Sequence, residues 1–198
     1  WTAGEQFIFD FPVLIQSFNY IARWNGSSWS QVPVPQPSTI RESQSLDDVL
    51  AIGAQDAIAV GTYNPDSGPS QAQSMRWDGS SWELMQSPVI TGGTSFRAIG
   101  RAGSDIWACG SKFSELPPPD ASSFPLAARL NGDDWEVVFV PPLAETGGRR
   151  YKHIRAIEGA SEEDAWAGGV AQENGTGFGP AAMMIRWDGA EWSQYVRT

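Results

Sequence analysis

Few residues of this 198-residue chain are of the kinds that do chemistry. There is one histidine, His153, and one cysteine, Cys109. A lone histidine excludes His-rich zinc centres and any mechanism that needs two imidazoles as acid and base. A Ser-His-Asp triad would have to use His153, and no nucleophile motif accompanies it. One cysteine makes no internal disulfide. Cys109 also occupies a position that related segments fill with Ala3, Val60 and Gly168, so it reads as a small packed residue and not as a reactive thiol. Asn64-Pro65-Asp66-Ser67-Gly68-Pro69 reads as an Asx turn, because a calcium site needs several convergent oxygens. Glu173-Asn174-Gly175-Thr176-Gly177-Phe178-Gly179 is rich in glycine but has neither the lysine nor the following helix of a phosphate loop. Arg149-Arg150-Tyr151-Lys152-His153, a rare basic cluster, reads as a solvated loop or as a docking spot for an acidic partner. We assign no catalytic residue, metal ligand or cofactor from the sequence.

Charge narrows the partners. The net charge is −10 and the isoelectric point about 4.4. Nucleic acid and anionic lipid are disfavoured, because like charge repels and few cations are present to meet phosphates. No run of about 18 apolar residues exists to span a membrane as a helix. The chain starts at Trp1 without initiator Met or signal peptide, which suggests a piece of something longer.

The elements that must position these residues are repeats. Arg23-Trp24-Asn25-Gly26-Ser27-Ser28-Trp29 recurs as Arg76-Trp77-Asp78-Gly79-Ser80-Ser81-Trp82, Arg129-Leu130-Asn131-Gly132-Asp133-Asp134-Trp135 and Arg186-Trp187-Asp188-Gly189-Ala190-Glu191-Trp192. Between these fall Trp1-Thr2-Ala3-Gly4, Ile58-Ala59-Val60-Gly61, Trp107-Ala108-Cys109-Gly110 and Trp166-Ala167-Gly168-Gly169, three of them preceded by Asp56, Asp105 or Asp164. A third element reads Val49-Leu50-Ala51-Ile52, Phe96-Arg97-Ala98-Ile99 and Ile154-Arg155-Ala156-Ile157. Each copy predicts four short strands, with Asn-Gly or Asp-Gly as a type I′ hairpin turn and a proline such as Pro33, Pro88 or Pro141 ending the last strand. Four-stranded units at this period predict an all-β, β-propeller-like array of four antiparallel blades within one repeat domain, residues 1–198. The copies run roughly over 1–35, 46–90, 95–141 and 153–198, and the first blade lacks its first strand. Such sheets bury both faces only by stacking. All ten tryptophans fall on repeat positions, which predicts that all ten serve the core. Each could contribute roughly 5 kcal/mol, from about 200 Å² buried at ~25 cal/mol/Å², as an upper bound. The repeated arginines predict one Arg–Asp pair or Arg–Trp stack in each blade.

The pattern resembles the Trp-Ala-Val-Gly / Trp-Asp-Gly-x-x-Trp repeats of bacterial secreted or surface proteins, over nearly the whole chain. The resemblance implies a β-propeller in an extracytoplasmic setting and no particular activity. The turn also resembles the Asp-box of sialidase-type propellers, but Asp and Gly are adjacent here, and no sialidase function is carried over.

The copies differ mainly in the segments between their second and third strands, read as loops over Glu5–Tyr20, Thr62–Ser74, Ser111–Leu126 and Val170–Ala182. Loops on a rigid scaffold are the usual seat of function. The first is crowded with Phe7, Ile8, Phe9, Phe11, Val13, Leu14, Ile15, Phe18 and Tyr20, and reads either as a long hairpin folded onto the blades or as an apolar contact for a partner. The third carries Phe113, three prolines and Phe124. The leading expectation is a non-catalytic protein-binding or assembly module, an oligomer or the subunit of a complex. It would contact another protein chain through Phe7, Phe9, Phe11, Leu14, Phe18, Tyr20, Phe113 and Phe124, or through the edge left by the missing strand. Two alternatives stand beside it: a glycan-binding, lectin-like propeller using Tyr63, Asp66, Phe113 and Phe178, and a fragment of a secreted hydrolase or lyase.

Overall fold

The computed structural model describes residues 1–10, 14–37, 43–115, 122–141, 151–172 and 181–195, with the backbone alone at 8–10, 14–16, 151 and 172. All regular structure among the described residues is strand. The first unit holds β1 (Thr2–Asp10), β2 (Leu14–Trp24) and β3 (Trp29–Val32). The second holds β4 (Ser43–Gly53), β5 (Asp56–Asn64), β6 (Gln71–Trp77) and β7 (Trp82–Met85). The third holds β8 (Thr94–Ala102), β9 (Asp105–Phe113), β10 (Ser123–Asn131) and β11 (Asp134–Val138). The fourth holds β12 (Tyr151–Ser161), β13 (Asp164–Gln172), β14 (Ala181–Trp187) and β15 (Trp192–Gln194). Each unit is an antiparallel meander, and the first has three strands. There is no helix here long and apolar enough to cross a membrane.

The third and fourth units are not separate sheets. They merge into one curled eight-stranded sheet through isolated parallel bridges, Ala102 with Gly159 and Ser123 with Tyr151. Gly159 permits the approach, since a Cβ there would sit 2.6 Å from Ala102 Cβ.

The turns differ in part from the expected two-residue form. Trp24 pairs with Trp29, Trp77 with Trp82 and Trp187 with Trp192, and each pair encloses four residues. The first of these four caps the loop: Asp78 Oδ1 accepts from Ser80 N at 2.7 Å and Ser81 N at 2.8 Å, and Asn25 and Asp188 do likewise. These amides hold the Asp78 carboxyl down to about 2. Gly79, at φ +100°, supplies the backbone conformation that side chains disfavour. Only the third copy extends its ladder to Asn131–Asp134 and leaves a two-residue turn.

A β-bulge recurs opposite the glycine that ends the Trp-Ala-x-Gly element. Gly61 pairs with Leu46, Gly110 with Phe96 and Gly169 with Ile154, and the next residue of the first strand in each unit is the extra one: Asp47, Arg97 and Arg155. This register corrects the alignment of the third element. The equivalent of Phe96-Arg97-Ala98-Ile99 is Leu46-Asp47-Asp48-Val49, three residues before the match suggested by residue type. Leu46, Phe96 and Ile154 are all fully buried, and that shared burial fixes the register.

The core lies between units. One cluster joins Trp1, Ile21 and Val32 to Leu46, Met75, Trp77 and Trp82. A second joins Ile58 and Val60 to Phe96, Leu126 and Trp135. A third joins Trp107, Cys109 and Ala127 to Ile154, Ile185, Trp187 and Trp192. The arginines behave as expected. Arg76 makes a bidentate pair with Asp56 at 3.0 Å, Arg186 meets Asp164 at 2.9 Å, and Arg129 meets Asp105 at 3.5 Å. Where the cross-strand partner is tryptophan, the guanidinium also lies over the ring: Arg23 over Trp1 at 5.1 Å, Arg186 over Trp166 at 5.6 Å and Arg129 over Trp107 at 5.8 Å. The expectation for the tryptophans fails in part. Trp24 and Trp29 are 46% and 54% exposed, and Trp166 is half-buried.

Candidate functional site

The segment from Glu5 to Tyr20 forms the long hairpin that was one of its two expected forms. β1 and β2 pair residue by residue from Thr2–Ala22 to Asp10–Leu14. In the second and third units the second strand runs three residues past its glycine, to Asn64 and Phe113, whereas β1 runs six past Gly4; the fourth unit is described as far as Gln172. The extra three residues project the hairpin by about 10 Å, at 3.3 Å per residue. Phe7 stands at the base of that projection, level with Asn64 and Phe113, and is 47% exposed, while Phe18 and Tyr20 are half-buried. Phe11 and the side chains of Phe9 and Leu14 lie outside the described residues, as does Phe178. The free edge expected from the missing strand belongs to β1, which pairs only with β2 and lies beside β4 without a ladder.

The other described sequence candidates do not line one groove together. Phe124 is exposed on β10, with Lys112 Nζ 5.9 Å from its ring centre, and Phe113 is half-buried beside it. Tyr63 lines a groove of about 300 Å³ with Pro37, Gln73, Leu84 and Val89. Neither Asp66, in an exposed turn, nor Phe113 is part of its lining, and Phe178 lies outside the described residues.

The bulges build a site that the sequence did not suggest. They carry Asp47, Arg97 and Arg155 on the neighbouring first strands β4, β8 and β12. Asp47 and Arg97 pair across units at 3.1 Å. Burial raises the Asp47 carboxyl above its usual range, against the pull of Arg97. Beside them runs a groove of about 400 Å³ lined by Asp48, Ile99, Arg155, Glu158, Trp166 and Met184. Asp48 is committed to the scaffold, since its two oxygens accept from Val49 N at 2.8 Å and Ile99 N at 3.0 Å. The groove therefore offers an aromatic wall and mixed charge, with no serine, cysteine or histidine in its lining. Its signal in the sequence is an ionisable residue recurring directly after a buried apolar one, legible only once the bulge register is known.

His153 and Lys152 belong to β12 and not to a solvated loop; Arg149 and Arg150 lie outside the described residues. Lys152 is buried because its strand bridges two units: its backbone N donates to Ser123 Oγ at 3.1 Å. His153 Nδ1 stands 2.6 Å from Ser111 Oγ. Ser111 is fully buried, which suits a strut between β9 and β12 better than an attacking nucleophile. Cys109 is likewise buried, and burial pushes its thiol far up. Among the described residues no group of three or more His, Cys, Asp or Glu could hold a metal.

Burial, then the charges of Arg155 and Arg97, push the His153 pKa below 6.5. The unfolded chain therefore takes up this proton first as the pH falls. The stabilisation is complete above the unfolded value of 6.5 and is lost on descending toward the folded value. The lowered carboxylates Asp78, Glu162 and Asp188 lose theirs only near and below their ordinary values of 3.8 to 4.5. The Tm is thus expected to fall between about pH 7 and about pH 5, and H153N, which cannot titrate, to flatten that limb in calorimetric scans. An unchanged slope in H153N would contradict the assignment.

No family model matches the chain, and no curated protein matches it in sequence.

Proposed function

We propose that this chain is a non-catalytic scaffold of β-propeller type that binds another protein through the projecting β1–β2 hairpin. The repeats, the stacked antiparallel units and the core held between them support the propeller reading. The observation that carries the binding reading is the unequal hairpin. The first unit continues its ladder beyond the level of the second and third, and Phe7, about half exposed, stands at the base of that extension. A ladder holds this projection stiffly, so little ordering entropy is lost when a partner covers it.

The test is site-specific photo-cross-linking in the cells that make the protein. A benzophenone side chain replaces Phe7 in one variant and Val137, on the outer strand β11, in a control. A discrete adduct with a different polypeptide at position 7 but not at 137 is the expected outcome. No adduct at 7, an adduct to the chain itself, or the same adducts at both positions would overturn the proposal.

A further inference from the structure

The three seams between units follow one rule. The second-strand residue of one unit packs against the hairpin pair of the next. Trp1 lies 5.2 Å from both Trp77 and Trp82, at 60° and 83°. Trp107 lies 5.2 Å from Trp187 at 59° and 5.3 Å from Trp192 at 83°. The middle seam uses Ile58 against Leu130 and Trp135. The two tryptophan seams are thus copies of each other, and the covered pairs are buried to between 1% and 6% exposure.

The rule leaves one half-seam at each end. Trp24 and Trp29 form the same pair, 5.6 Å apart at 49°, against 5.9 Å and 49° for Trp77–Trp82 and 5.8 Å and 48° for Trp187–Trp192. Among the described residues no second-strand residue covers it. At the other end Trp166 has the position of Trp1 and Trp107 but, among the described residues, its ring partner is Tyr195 of its own unit, at 5.3 Å. Arg23 shows what an arginine does in a filled seam, lying over its own Trp1 and, at 5.9 Å, over Trp77 of the next unit. Arg186 already lies over Trp166 and keeps a 48% exposed side chain, so it is placed to do the same. The first and fourth units make no substantial contact among the described residues, so these residues do not close the seam within one chain.

We propose that a second copy of this chain closes both ends. Trp166 of each copy seats on the Trp24–Trp29 pair of the other, making two identical head-to-tail seams and a closed ring. A heterologous contact of this kind is stable where its rotation closes. Two copies give eight units, inside the range of roughly four to eight that propeller rings adopt; three copies would give twelve. The occupant is argued from continuity with interfaces the molecule already makes. Only the ring size rests on the propeller reading, and nothing in the proposal depends on the Phe7 hairpin.

Sedimentation velocity at ~10–100 μM chain reads the outcome, a range in which a contact of modest affinity is populated. The expected mass is twice the 21.5 kDa of one chain. The W24S/W29S variant is expected to sediment as a monomer with an unchanged far-ultraviolet spectrum, since both residues are exposed within one chain. Oxidation by N-bromosuccinimide adds a readout in trans. Trp24 and Trp29 should be protected in the wild type and reactive in W166S, although Trp166 does not touch them within one chain. A monomeric wild type across that range, a dimer that survives W24S/W29S, or equal oxidation of Trp24 and Trp29 with and without Trp166 would each overturn the proposal. Loss of the Phe7 cross-link would not, which keeps the two proposals separable.

Discussion

Replacing Trp107 by alanine is expected to lower the unfolding free energy by about 3–5 kcal/mol, as large-to-small changes at a buried tryptophan do. Trp107 is fully buried, on β9 of the third unit, and its contacts lie mostly in the fourth. The loss has two parts: apolar surface returned to water, and a cavity between sheets whose backbones are tied by ladders and cannot close over it. Part of the cost is specific to the ring geometry. Trp107 meets Trp192 edge-on at 83° and Trp187 tilted at 59°, and aromatic pairs of this kind contribute about 0.5–1.5 kcal/mol beyond area. Urea unfolding gives the size of the effect. A double-mutant cycle with Trp187→Ala isolates the pair, with a coupling of about that size. In W107A the fluorescence of Trp187 and Trp192 should shift to the red as water reaches them. A loss below about 1 kcal/mol, with no red shift, would mean that the seam does not carry the fold.

Two adjacent glycines are expected to give opposite results. Gly169→Ala should destabilise by about 1–3 kcal/mol or more, the usual range for overpacking. A Cβ at Gly169 would collide with the carbonyl oxygen of His153 and come within 2.9 Å of Ile154 Cα, both backbone atoms of the bulged strand β12. The bulge cannot retreat without breaking the pairing that places Arg155. Gly168→Ala should instead be neutral or stabilising by up to about 0.4–1 kcal/mol. Its Cβ would meet nothing closer than Met183 O at 4.0 Å, and alanine reduces the freedom of the unfolded chain. Thermal unfolding of the two variants side by side checks the pair. Equal effects would show that strand propensity, and not the close approach at the bulge, governs this site. Gly61 and Gly110 face the same obstruction, from Ser45 and Ser95, and should follow Gly169.

The paired tryptophans, the Asp-Gly turns and the Arg–Asp partners were legible in the residues because each is a local or repeated relation. Alternation and turn chemistry decide strands and hairpins within about ten residues, and repetition multiplies the signal. One alignment went astray. Phe96-Arg97-Ala98-Ile99 resembles Val49-Leu50-Ala51-Ile52 by type, yet the bulge opposite Gly61 selects Leu46-Asp47-Asp48-Val49. A one-residue shift turns every side chain of a strand to the other face, and residue types alone do not reveal where an extra residue is inserted. The groove followed this miss, because Arg97 and Arg155 become neighbours of Asp47 and Glu158 only through that register. For Glu5–Tyr20 the residues offered a long hairpin beside a partner contact, and pairing across the full length from Thr2 to Asp10 shows the hairpin.

The sequence by itself determined that the chain is all-β and repeats a tryptophan-marked unit, because composition and period are properties of the chain. The tertiary structure decided which tryptophans find a neighbour. Trp24, Trp77 and Trp187 occupy one repeat position and are the same residue to any reading of the sequence. Two are buried and one is exposed, because burial belongs to the seam and requires a unit on the other side. An open array of four units has three internal seams and two ends, and only coordinates tell an end from a seam.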